Sequence, residues 1–179
     1  MNLSRQPAAI AVLLALLFAA FEAEAATGAS FQVSATIEPG CLVDGLGVSG
    51  HAGTLGELDF GTDSALSTAT HSASSQSTQA ITLRCTPGVA LAMSIDGGAH
   101  AGTSTRHLQR GTNPADRVAY SVCGDAACTV PIAIGGSVGI TVTAANMNDV
   151  RLPVFGRLTL PGGVPAGMYS DVLTVTLSW

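Results

Sequence analysis

From Leu173 the chain alternates strictly. Leu173, Val175, Leu177 and Trp179 fall on one face, and Thr174, Thr176 and Ser178 on the other. A period of two marks a β-strand with one buried face. The same period runs through "SFQVSATI" (30–37), which places Phe31, Val33, Ala35 and Ile37 together. Further runs predict strands at "TLGELDFG" (54–61), "AITLRC" (80–85), "ALAMSID" (90–96), "RVAYSVC" (117–123), "VGITVTA" (138–144), "RLPVFGRLTL" (151–160) and "GMYSDVLTVTLSW" (167–179). Turn signals separate them, among them "EPG" (38–40), "TPG" (86–88) and "PGGVPAG" (161–167). "STATHSASSQSTQ" (67–79) is polar and low in complexity, which predicts a surface loop or a weak edge. No 3.6-residue apolar period stands out beyond the first 25 residues. Many short strands with Gly/Pro turns predict an all-β sandwich.

The first 25 residues have a different pattern. Arg5 precedes an apolar run from Ile10 to Phe21, and "AEA" (23–25) offers a small-residue cleavage site. This predicts a secretory signal peptide over 1–25. The run is shorter than the ~20 residues that span a bilayer, so stable membrane insertion is not expected. The exported chain then starts at Ala26. It has six Arg, no Lys and ten acidic residues, a formal charge of −4. With no basic stripe, nucleic acid is not an expected partner. An apolar content of 47%, arranged in alternating runs, argues against disorder.

Cys41, Cys85, Cys123 and Cys128 all lie in the exported part. An even count in an oxidising compartment predicts two disulfides. Three pairings are possible. Cys41–Cys85 with Cys123–Cys128 is preferred, because "CGDAAC" (123–128) can turn back on itself. Zinc is not expected, since the 123/128 spacing is not Cys-x-x-Cys and no His lies near either end.

Candidate chemistry is sparse. His51, His71, His100 and His107 are scattered through Gly-, Ser- and Thr-rich stretches. A site could be drawn from His100, His107 and Asp96, but solvated loop histidines are the expectation. No nucleophile elbow, His-Glu-x-x-His or phosphate loop occurs. "IDGGAHAG" (95–102) is Gly-rich but opens no helix and lacks the Lys of a phosphate cradle, so it reads as a turn. Asp171 is expected to bond a nearby turn at a strand start. Phe155 and Trp179 are expected in ordinary packing rather than as an aromatic platform. Neither enzyme activity nor a cofactor or metal is expected.

Pieces of the exported chain, taken in order, resemble the spore coat protein U (SCPU) family, which includes Csu-type subunits of archaic chaperone–usher pili. They are "FQVSATIEPGC" (31–41), "LDFG" (58–61), "ITLRCTPG" (81–88), "SIDGG" (94–98), "TRHLQRG" (105–111), "VAYSV" (118–122), "LPVFGRL" (152–158) and "GMYSDVLTVTLSW" (167–179). The last is the most specific. The chain departs from the family between Cys123 and Pro131, where "TVPI" (129–132) replaces a more usual Trp-Gly, so a second disulfide would be a local addition.

The resemblance implies an incomplete immunoglobulin-like β-sandwich, lacking its last strand and completed by a donated one. Domain bounds follow as 1–25 signal peptide, 26–40 donor segment and 41–179 sandwich. The donor face would be Phe31, Val33, Ala35 and Ile37. The acceptor groove would carry Leu173, Val175, Leu177 and Trp179, the residue on which the sequence ends. Strand addition of this kind is a known recognition mode. The implied partners are identical or related pilus subunits, a periplasmic chaperone and an outer-membrane usher. The implied route is through the periplasm to the cell surface, in a shaft or adaptor position that supports adhesion and biofilm formation. The alternative is a secreted coat-like or glycan-binding sandwich that is complete as a monomer.

Overall fold

The computed structural model describes residues 32–44, 47–75 and 79–179. The expected signal peptide and Phe31 lie outside the described residues. The chain divides into two units, 1–37 and 38–179. In the first, residues 32–37 form no strand and are exposed. The expected strand 30–37 is therefore not formed over its described part. An alternating strand has backbone groups to satisfy on both edges, and residues 32–37 have no ladder partner among the described residues.

The second unit is all β. Its described strands are β1 (Cys41–Val43), β2 (Thr70–Ser74), β3 (Leu83–Cys85), β4 (Leu91–Ile95), β5 (Arg106–Arg110), β6 (Arg117–Cys123), β7 (Ser137–Ile140), β8 (Phe155–Thr159), β9 (Tyr169–Ser170) and β10 (Val175–Ser178). They form a pair β1–β3, a three-stranded sheet β10–β4–β7 and a five-stranded sheet β2–β8–β6–β5–β9, with every pairing antiparallel.

Alternation sets the core. β4 buries Leu91, Met93 and Ile95, β6 buries Val118, Tyr120 and Val122, and β3 buries Leu83 and Cys85. These side chains meet Val150, Leu152, Val154 and Leu158 in one apolar cluster shared by all the sheets. Fully burying a Leu, Ile, Val or Met side chain contributes about 1.5–3 kcal/mol each, so this layer holds the sheets face to face. Cys41 stands directly opposite Cys85 in the β1–β3 register, and the two are bonded. Cys123 is bonded to Cys128 across the short loop. Both preferred disulfides are thus formed.

Several strands differ from the sequence expectation. The segment 54–61 forms no strand. Its apolar residues, Leu55, Leu58 and Phe60, are spaced three and then two apart, so no single extended face would hold them. β5 emerges from "RHLQR", in which Arg106 and Gln109 are the most buried residues and the one apolar residue, Leu108, is only partly buried against the core. β2 forms within the polar stretch 67–79 and is an edge strand, paired only with β8 among the described strands. At the end of the chain the long alternating run splits. β9 belongs to the five-stranded sheet and β10 to the three-stranded one, so residues 171–174 cross between sheets.

Candidate functional site

β10 is held along one edge. It pairs antiparallel with β4, Val175 opposite Ile95 and Leu177 opposite Met93. Just before it, Asp96 N donates to Thr174 O (3.1 Å) and Ala99 N to Val172 O (3.1 Å). The other edge of β10 has no ladder partner among the described residues. Leu173, Val175 and Leu177 lie on one face, half-buried and packed against the core. Trp179 follows on the same face and is 41% exposed.

These four residues line a cleft of about 1800 Å³. Its floor includes Leu108, Val118, Tyr120 and Leu158 of the five-stranded sheet. The segment 54–61 lines it as well, with Leu55, Leu58 and Phe60 packed against the core. Phe60 meets Tyr120 edge to face, with ring centroids 6.1 Å apart. It lies over Gly156 of β8, where a Cβ would stand 2.6 Å from the ring. The cleft is larger than the ~300–1,000 Å³ typical of a small-molecule pocket. Strand rise, strand spacing and sheet separation together give an eight-residue strand roughly 1,300 Å³. The space therefore suits a strand of polypeptide better than a compact ligand.

Polar groups fix the sheet crossover beside the cleft. The Tyr120 hydroxyl donates to Asp171 Oδ2 (2.8 Å), and His100 N donates to Asp171 Oδ1 (3.1 Å). Asp96 Oδ1 accepts from Thr174 N (2.9 Å) and Gly98 N (2.9 Å). Each carboxylate thus accepts from one backbone N–H of the opposite segment where the regular ladder stops, and Asp96 also closes its own turn through Gly98 N. Burial, and then the bond to Asp171, pushes the Tyr120 hydroxyl well above the usual phenol range. Partial burial pushes the Asp96 carboxyl up, but the Thr174 and Gly98 N–H donors and nearby Arg106 outweigh it and hold it below the usual carboxylate range.

Arg106, 4% exposed, stands behind this network. Its guanidinium donates to the carbonyls of Asp96 (2.8 Å), Ile95 (2.9 Å), Ile132 (2.6 Å) and Ala133 (3.3 Å). It ties β5 of one sheet to the end of β4 in the other. Burial lowers its pKa, opposed by the nearby Tyr120, Asp96 and Asp171.

Of the expected acceptor residues, the structure brings Leu173, Val175, Leu177 and Trp179 to one cleft. Of the expected donor residues, Val33 and Ile37 are 81% and 93% exposed and Ala35 is exposed too. Asp171 bonds a turn, as expected, through His100 N, but it lies in the crossover after β9 rather than at a strand start. Three histidines occupy loops or an edge: His51, whose Nδ1 accepts from Gly53 N, His100 in a turn, and His71 of the edge strand β2, with Nε2 2.9 Å from Asp63 Oδ2. His107 departs from the expected solvated loop: it lies half-buried in β5, between β6 and β9. Among the described residues no three His, Cys, Asp or Glu gather as metal ligands, and no helix is long and apolar enough to cross a membrane. Tyr120, Arg106 and the segment 54–61 were not expected at the site. "SIDGG" and "GMYSD" carried the signal for the crossover, as an Asp on each side of it.

An all-β sandwich with an apolar, strand-sized cleft along a strand edge that has no ladder partner among the described residues is the class of protein this geometry defines. The chain belongs to the Spore Coat Protein U domain family, whose model matches residues 27–176. No curated protein sequence matches it. Among solved structures it is similar to a chain of the CsuC–CsuE chaperone–tip adhesion subunit pre-assembly complex, from archaic chaperone–usher Csu pili of Acinetobacter baumannii. The identity is 16% and the TM-score 0.41. The match covers 80% of this chain and 40% of that one.

Proposed function

We propose that the protein is a structural subunit of a chaperone–usher pilus, and that the cleft beside β10 receives a strand donated by another subunit. The observation that carries this reading is the free edge of β10 beside a strand-sized apolar cleft. An open edge invites pairing with another chain, and the half-buried Leu173, Val175 and Leu177 supply the apolar face it would cover. The donor is the N-terminal segment, with Phe31, Val33, Ala35 and Ile37 facing in. Burying the three larger side chains would contribute roughly 5–9 kcal/mol, before backbone hydrogen bonds at about 1 kcal/mol each. Donation from head to tail does not close on itself and builds a filament. In this reading a periplasmic chaperone covers the cleft before assembly and an outer-membrane usher exports the subunit to the cell surface. The role is structural, in a shaft or adaptor position that supports adhesion, with no catalysis.

The test uses the exported chain, 26–179, carrying Phe31→Asp and Val33→Asp so that its own segment cannot compete. A peptide of residues 28–38 should raise its melting temperature with concentration, by binding the folded state. The same peptide with Phe31→Asp and Val33→Asp should not. Adding Val175→Asp to the subunit should abolish the shift, since it buries an unpaired charge under the incoming strand. A stable monomer that ignores the peptide would overturn the reading in favour of a sandwich already complete.

A further inference from the structure

We infer that residues 54–60 form a hinged lid that closes over a strand lying in the β10 cleft. This rests on the strand-accepting reading above and adds a moving part to it. The segment has three properties of a lid. First, it forms no strand, yet Leu55, Leu58 and Phe60 turn toward the core while Glu57 and Asp59 stay exposed. Second, glycines at positive φ bracket it, Gly53 (φ 69°) and Gly61 (φ 78°). A Cβ on either would meet nothing within 4 Å. Their lack of a side chain serves backbone conformation rather than close packing, which is what a hinge position requires. Third, both of its ends are tied to the body of the fold. Ala80 N donates to Leu55 O (2.6 Å), and Asp63, two residues past the second glycine, meets His71 of β2.

Phe60 is the contact through which the lid senses the cleft. Its ring sits in the slot left by Gly156 and against the edge of Tyr120. The Tyr120 hydroxyl in turn holds Asp171, at the start of the crossover into β10. A continuous set of contacts therefore runs from the lid, across the cleft floor, to the strand that presents the free edge. The cleft volume exceeds that of one strand, so an occupant can enter with the lid in place. Closure of Leu55, Leu58 and Phe60 onto it would then remove the remaining space.

Hydrogen exchange tests this on the exported chain with Phe31→Asp and Val33→Asp, with and without the 28–38 peptide. The amides of 55–60 should exchange at least tenfold more slowly when the peptide is bound, as a locally opening segment becomes fixed. In the same background Phe60→Leu should keep the fold but raise the dissociation rate of the peptide about tenfold, since most effects at such contacts fall on dissociation, and an unchanged rate overturns the lid. A bound peptide with unchanged exchange at 55–60 overturns the lid and leaves the strand-accepting reading standing. No peptide binding at all overturns both.

Discussion

Arg106→Met removes the guanidinium that ties the two sheets together and keeps an unbranched stem. Four carbonyls lose a donor, but not equally. Ile95 O also accepts from Gly135 N, and Ala133 O from Gly136 N, both at 2.9 Å. The loss therefore falls on Asp96 O and Ile132 O. A buried acceptor left without a partner costs about 1–3 kcal/mol. Asp96 lies at the surface, where water can replace part of the bond. A hydrogen bond to a charged group contributes about 1.5–3 kcal/mol net of the desolvation of its partners. The full loss at Ile132 O and the partial loss at Asp96 O therefore come to a destabilisation of about 3 kcal/mol, most of it from Ile132 O. Arg106→Lys should cost about as much, because an ammonium is a compact charge without the planar fork that reaches several carbonyls at once. Equilibrium urea unfolding with the disulfides intact reads both. At an m-value of about 2 kcal/mol/M the midpoint should fall by about 1.5 M. A midpoint within 0.3 M of the parent for Arg106→Met, a margin of about 0.6 kcal/mol, would refute the claim that these bonds hold the sheets together.

Two further outcomes are expected. Replacing Cys41 and Cys85 by Ala opens a link across 44 residues and should cost about 4 kcal/mol, against about 2 for Cys123 and Cys128, five residues apart, so urea midpoints in the reverse order would contradict it. Asp63 is held low by the Ser67 hydroxyl, Ser64 N and His71, Asp125 by the N–H groups of Thr129 and Val130, and Asp96 as described. A lowered carboxylate stabilises fully above its unfolded value, near 3.9, and the stabilisation is lost as pH falls through the folded value. Urea midpoints should therefore be level with respect to these groups from about pH 5 to 7 and fall below about pH 4. A midpoint that rises on acidification there would show that they do not govern acid stability.

The periodicity of the chain carried the fold class, because strands buried on one face write their burial as alternation. β4 and β6 were legible for this reason: Leu91, Met93, Ile95 and Val118, Tyr120, Val122 are apolar at every second position. β5 was not, since an Arg whose head is satisfied by four carbonyls reads as a surface residue in one dimension. The split of 167–179 into two strands was hidden as well. Alternation continues through Leu173, while the hydrogen-bond partners change from β5 to β4. The shared apolar face of Leu173, Val175 and Leu177 was legible because these side chains follow one period. The wall at 54–61 was not, because its residues are brought together by packing on Gly156 and Tyr120 rather than by a ladder. Tyr120 also sits in a plain apolar alternation, and nothing there marks its hydroxyl as the partner of Asp171.

β2 shows how the fold treats another of its open borders. Its sequence is "THSAS", with Thr70 Oγ1 bonded across to Thr159 Oγ1 (2.9 Å) and His71 clasped by Asp63. A stray chain aligning here would find backbone groups but little hydrocarbon to bury, and a Thr70 hydroxyl that already has a partner. Secreted β-proteins at high local concentration risk precipitating through such borders, and short polar edge strands are a common safeguard. The low-complexity Ser/Thr composition of this stretch thus acts as a solubility element. Replacing it with β-branched apolar residues would raise strand propensity and, with it, disordered clumping of the exported chain.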